Sequence, residues 1–142
     1  MSDCIFCDII EGVAPASIVY RDDHVCAFLD IQPVNAGHLL VIPTGHATDL
    51  ADLDPAAGSH LFRIAQRLAA ALRRTSLAAR GVNLVLADGE AAGQEVFHVH
   101  LHVIPRFTGD GFGFTFGPDY SNLPPREALD RVAATLRDAL GE

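Results

Sequence analysis

His98-Val99-His100-Leu101-His102-Val103-Ile104 alternates imidazole and aliphatic side chains. Period-two alternation marks a β-strand with one buried face, because successive side chains point to opposite sides of the backbone. Val99, Leu101 and Val103 therefore enter a core, and His98, His100 and His102 line the other face. A lone histidine on such a strand is usually a satisfied or surface residue, and His24 and His60 are read that way. Three in strict alternation have no economical packing explanation, so the row points to chemistry. A single ion held by all three is out of reach: at about 3.3 Å per residue the outer two stand roughly 13 Å apart, against metal–nitrogen bonds of about 2 Å. At most a neighbouring pair, or one of them, ligates.

Around this row the chain reads as short strands and two helices. Ser17–Tyr20 and Val25–Leu29, separated by the polar Arg21-Asp22-Asp23-His24, predict a hairpin, and His38–Pro43 a third strand between two turn signals. Asp54-Pro55 supplies an N-cap and a proline at the first helical position. Leu61, Ile64, Ala65, Leu68 and Leu72 then share one face of a long amphipathic helix. Val82–Leu86 predicts a fourth strand, Val96–Ile104 a fifth, and Leu129, Val132, Ala133, Leu136 and Leu140 one face of a last helix. This order predicts an α+β fold, an antiparallel sheet of about five strands with its helices mainly on one face. We expect one domain over residues 1–142, with 107–142 a C-terminal loop and helix extension.

Composition narrows the function. The formal charge of −8 argues against a broad grip on a nucleic-acid backbone, which needs clustered cations. A bound phosphate would be held locally, by backbone N–H groups and histidines. The apolar helical stretch is interrupted by Arg63, Gln66 and Arg67, which excludes a membrane span. No basic patch precedes an apolar segment at the amino terminus, and three cysteines, an odd number, favour reduced thiols and a cytoplasmic location. Cys26, inside an apolar strand, reads as a small core residue. Cys4 and Cys7, at CxxC spacing, are free for a metal or a redox role.

His-apolar-His-apolar-His-apolar-apolar resembles the signature of the histidine-triad superfamily. The likeness extends through Cys4–Ile10, Ala27–Ile31, Gly37–Pro43 and Ala92–Phe97, in the family's order. The resemblance implies a nucleotide hydrolase or transferase. The middle histidine, His100, attacks an α-phosphorus and is transiently nucleotidylated, an activity that suits an imidazole neutral near pH 7. His100 would then donate its other nitrogen's proton to a carbonyl. By the same resemblance His102 stabilises charge on the phosphate oxygens and His38 sits beside it from a neighbouring strand. Asp30 receives the ribose hydroxyls, and Phe6, Ile9, Phe28 and Ile31 clamp the base, a reading that competes for each of the four with a plain core role. Gly93, Gln94 and Val96 offer backbone N–H groups to the phosphate.

Two positions depart from the eukaryotic nucleoside-phosphoramidase branch. Ala87-Asp88 stand where an asparagine is usual. Glu95 replaces a serine, so leaving-group protonation falls to Glu95 or is done differently. Prokaryotic members resembling this chain close a zinc site with residues that map to His46 and His98, beside Cys4 and Cys7. Such a Cys2His2 set is complete, so the zinc would be structural. A redox CxxC is the alternative, without a thioredoxin-like βαβ pattern around it.

The implied substrates are purine nucleotides such as nucleoside phosphoramidates or dinucleoside polyphosphates, and the implied assembly is a homodimer, resting on an apolar helix face and the Phe-rich loop at 112–116. Two rival readings remain: a nucleotide-binding adaptor with little turnover, and a hydrolase with a catalytic zinc, for which chelation would stop turnover before it cost stability.

Overall fold

One antiparallel sheet of order β1-β2-β3-β5-β4 organises the chain in a computed structural model that describes residues 2–141. Its strands are β1 (Ile18–Arg21), β2 (Val25–Leu29), β3 (Leu39–Pro43), β4 (Gly81–Val85) and β5 (Leu101–Arg106). The helices are α1 (Ile5–Ile10), α2 (Pro55–Arg74) and α3 (Arg126–Leu140), with a single 3-10 turn at Glu90–Ala92. Two compact units divide the chain, Met1–Gly111, which carries the sheet, and Phe112–Glu142, which carries α3.

The expected periodicities place the two cores of the first unit. Asp54 caps α2 by accepting from the Ala56 N–H, with Pro55 at the helix start. Its buried residues are Leu61, Ile64, Ala65, Leu68 and Leu72. These pack on Val25, Ala27, Leu39, Val41, Val99, Leu101 and Val103, each large aliphatic contributing about 1.5–3 kcal/mol by leaving water. The alternate residues of the same strands, Cys26, Phe28, Leu40 and Ile42, face the other way and meet Phe6 and Ile9 of α1. Helices therefore cover both faces rather than mainly one. Six residues are too few to hold a helix in water alone; α1 persists through Phe6, Ile9 and its capping by the Cys4 sulfur.

The fifth strand begins later than expected, at Leu101 rather than Val96, and runs on to Arg106. Its ladder with β3 stops at the pair Val41 and Leu101. Beyond that point Pro43 has no N–H to give, and its carbonyl is taken by the His98 ring at 2.9 Å. The Val99 N–H bonds instead to Ala47 at 2.8 Å. His98 and His100 thus lie before the β5 ladder begins, and the alternation survives because Val99, Leu101 and Val103 still all reach the α2 core.

Gly37 is the glycine on which the β2–β3 connection depends. Its φ is +98°, and a Cβ there would lie 2.8 Å from Leu77 and 3.0 Å from Leu72. Gly37→Ala is expected to lose roughly 1–3 kcal/mol from the two effects together. Denaturant unfolding should register this as a lower midpoint at unchanged slope; a midpoint equal to wild type would contradict it.

In the second unit, Phe116 and Tyr120 stack at 3.9 Å. None of the expected apolar residues of α3 is buried, with Val132 at 58% and Leu140 at 77% exposure. The apolar face of α2 is packed on the sheet, whereas that of α3 is exposed. No helix is long and apolar enough to cross a membrane among the described residues.

Candidate functional site

The backbone sets the proton on each triad histidine. His100 Nδ1 lies 2.8 Å from the His98 carbonyl oxygen, so in the neutral ring Nδ1–H donates and Nε2 keeps its lone pair. His98 does the reverse: Nε2–H donates to Pro43 and Nδ1 is left bare. His38 Nδ1 accepts from the Val34 N–H at 3.0 Å, so its proton is on Nε2. That proton is directed at His102 Nδ1, 2.9 Å away, which places the His102 proton on Nε2. The result is an adjacent pair, His100 with a bare Nε2 and His102 with a protonated one, their ring centres 5.1 Å apart.

Asp30 closes this group, with Oδ2 at 3.5 Å from His38 Nε2 and 4.0 Å from His102 Nδ1. Its Oδ1 accepts from the Gln32 N–H at 2.8 Å. The three residues bring ligand atoms close enough to consider an ion. The 2.9 Å nitrogen separation is nonetheless a hydrogen bond, shorter than the roughly 3.3 Å edge set by two bonds of about 2 Å at a tetrahedral centre. The group is a cluster of polar side chains joined by the His38–His102 hydrogen bond.

Cys4, Cys7, His46 and His98 form a second cluster whose ligand atoms all lie within 4.8 Å of one another. Its separations are 3.3 Å from Cys4 Sγ to His98 Nδ1, 3.4 Å from Cys7 Sγ to His46 Nδ1, 3.6 Å from Cys7 Sγ to His98 Nδ1, and 3.2 Å between the two Nδ1 atoms. Bonds of about 2.0–2.3 Å to a tetrahedral ion predict edges of roughly 3.3–3.8 Å. The four residues fit such an ion, and the Pro43 carbonyl orients the His98 ring as an outer partner of a ligand should. Without a cation, burial and then Cys4 push the Cys7 thiol up to about 11, so paired thiolates here need a positive charge among them.

Burial lowers His38 and His98, and burial followed by the neighbouring His100 and His38 lowers His102 to about 4. The unfolded chain, with ordinary histidines at 6.5, therefore binds more protons than the folded one between pH about 6.5 and about 4. Stability falls as the pH drops through that window. Urea midpoints are expected to decline from pH 7.5 to pH 5, and His102→Asn to flatten the decline; an unchanged slope would contradict the assignment.

The remaining expected residues divide. Phe6, Ile9 and Phe28 are buried in the α1 core, at 7%, 7% and 3% exposure, whereas Ile31 beside Asp30 is 98% exposed. Phe6 also sets its edge against both His98 and His100, at 5.8 and 5.1 Å. The Gly93 and Gln94 N–H groups are not offered to a ligand, because they bond to Glu90 and Gly89 inside the 3-10 turn. The buried Gln94 side chain holds that turn through Gly89, Thr48 and Val96. Val96 is half-buried and packs against the α1 core, and Glu95 is exposed. Sequence reading missed Val34, whose N–H fixes His38, and Pro43, whose carbonyl fixes His98; backbone partners leave no trace in residue type. A groove of about 350 Å³ runs along β1 and α2, lined by Tyr20, Arg67, Leu68 and Arg74 among others. None of the clustered histidines lines it.

A family model described as HIT domain matches residues 11–109. An uncharacterized HIT-like protein of Mycobacterium tuberculosis is 45% identical over 139 residues, 98% of this chain and 94% of that one. Among solved structures, the chain is similar to a zinc-bound histidine triad family protein from Mycobacterium smegmatis, with 41% identity, TM-score 0.76 and coverage of 97% of both chains. It is also similar to a histidine triad nucleotide-binding protein from Candida albicans, with 28% identity, TM-score 0.85 and coverage of 98% of both.

Proposed function

The chain belongs to the histidine triad (HIT) family, and on that premise we propose that it is a nucleotide hydrolase or transferase working through a covalent nucleotidyl-His100. The observation that carries this reading is the opposite proton setting of two neighbouring rings. His100 donates Nδ1–H to the His98 carbonyl and keeps an Nε2 lone pair, while His102 keeps a proton on Nε2. A nucleophile beside a hydrogen-bond donor is what attack on an anionic phosphate requires.

In the first step His100 Nε2 forms a bond to the α-phosphorus as the bond to the leaving group breaks. His102 Nε2–H stabilises charge on a non-bridging oxygen, its position held through His38 and Asp30. In the second step water or another acceptor bonds to phosphorus as the bond to imidazole breaks, the acceptor's proton passing to solvent or Glu95 and His100 Nε2 regaining its lone pair. The leaving group's proton comes from Glu95 or from solvent. Asp30 retains acceptor capacity for ribose hydroxyls, and exposed Ile31 beside it offers an apolar surface to a purine base. Nucleoside phosphoramidates and dinucleoside polyphosphates are the substrate classes this chemistry suits.

Cys4, Cys7, His46 and His98 would hold zinc, whose chemistry here is to tie α1 to the sheet by a closed four-ligand set. His98 then has no nitrogen free for acid–base work. A second copy of the chain is the proposed partner, and reduced thiols at Cys4 and Cys7 suit a cytoplasmic setting. The adaptor reading needs no bare nucleophile, and His100 has one. Intact-protein mass after brief mixing with an adenosine phosphoramidate or a diadenosine polyphosphate tests the proposal: a nucleotidyl adduct supports it, and no adduct and no turnover with any nucleotide would favour the adaptor.

A further inference from the structure

The segment from Asp30 to His38 supplies the Asp30–His38–His102 cluster with the Asp30 carboxylate, the Val34 N–H and the His38 ring, yet among its described residues it is not part of any helix or strand. Its far side is pinned by a half-buried polar knot. Asn35 Nδ2 donates to the Pro105 carbonyl at 2.9 Å and to Asp110 Oδ2 at 2.8 Å. Asp110, its side chain 7% exposed, is gripped on both oxygens by Arg106, at 2.7 Å from Nε and 2.8 Å from Nη2. Arg106 Nη1 donates to Asn83 Oδ1 on β4 at 2.6 Å, and the Phe107 N–H adds a bond to Asp110 at 3.1 Å. A two-pronged arginine–carboxylate pair fixes direction as well as distance.

Asn35 in turn accepts the His38 N–H on its own carbonyl at 3.1 Å. The chain of contacts therefore runs from β4 and β5 through Arg106, Asp110 and Asn35 to the backbone immediately after Val34. We propose that Asp110 and Asn35 are positioning residues, which set the proton pattern of His38 and His102 by holding the Val34 N–H against His38 Nδ1. If Val34 moves away, His38 is free to place its proton on Nδ1, and the shared bond to His102 then reverses. The His102 Nε2 would face the substrate bare, repelling a phosphate instead of donating to it. Neither residue touches substrate, and the catalytic consequence rests on the function proposed above.

Long-range nitrogen–proton NMR of the histidine rings reads the proton positions directly, without any nucleotide. Wild type is expected to carry His38 and His102 as Nε2–H. Asn35→Ala, which leaves the Arg106–Asp110 pair intact, is expected to convert His38 to a mixture of both forms while the folded dispersion persists. Asp110→Asn should do the same, and if it fails to fold, Asn35→Ala decides alone. In the same variants the rate of nucleotidyl-adduct formation should fall about 10- to 100-fold, with KM changed less than about threefold, the pattern of misplaced geometry rather than lost binding. A folded Asn35→Ala whose His38 remains wholly Nε2–H overturns the positioning role. Should the proton pattern shift while wild type makes no adduct with any nucleotide, the positioning role stands and the functional reading fails.

Discussion

His100→Asn is expected to abolish the nucleotidyl adduct and to lower turnover by at least about 10³-fold, the scale on which loss of a nucleophile is felt when the rest of a site is intact. The fold should survive. An asparagine amide can still donate toward the His98 carbonyl that now accepts from Nδ1, and the change removes ring contacts with Phe6 and His102 without leaving a buried charge. A variant that folds, binds nucleotide and forms no adduct would assign the covalent step to this side chain. Persistent adduct in the variant would move the nucleophile elsewhere and leave the protonation pattern without a catalytic meaning.

The second large effect concerns the Cys4, Cys7, His46 and His98 cluster. Removing by chelation the zinc proposed for it, or replacing Cys7 with serine, is expected to cost about 4 kcal/mol or more. That is a fraction of the roughly 10–16 kcal/mol found where zinc alone folds a peptide, since the α2 core persists without it. For a chain of this size such a loss lowers Tm by about 8–16 °C. The mechanical reason is local: α1 is left with Phe6, Ile9 and the half-buried Ile10 to keep it on the sheet once the sulfurs let go. Differential scanning calorimetry before and after chelation measures the shift, and turnover well below the lowered Tm decides the ion's role. Residual activity there fits a structural ion; complete loss with an unshifted Tm would make it catalytic.

Much of this was legible in the residues because the strongest signals are periodic. The α2 positions 61, 64, 65, 68 and 72 are buried as their spacing dictates, and valine and leucine alternation sent three histidines to one face. What escaped was fixed by contacts distant in sequence. The start of β5 is governed by Pro43, fifty-five positions before His98. The short α1 exists because the opposite sheet face needs cover, a demand invisible in Ile5–Ile10 alone. Asn35 and Asp110, seventy-five positions apart, read as ordinary turn and loop residues until folding brings them together. Sequence alone could not separate a base clamp from a core role at Phe6, Ile9 and Phe28, because apolar residues are of equal use to a ligand and to a core.

The proton arrangement of this site is borrowed from the main chain: the carbonyls of Pro43 and His98 and the N–H of Val34. Main-chain groups do not change when side chains are exchanged. Lineages can therefore diverge widely around the histidines and still inherit the same pattern of donors and lone pairs, provided the strand register, His38 and the contacts that hold Val34 are kept. Anyone grafting the triad onto another scaffold faces the converse: the host must present two carbonyls and one amide at matching positions, together with contacts that hold them there, as Asn35 and Asp110 are proposed to hold Val34.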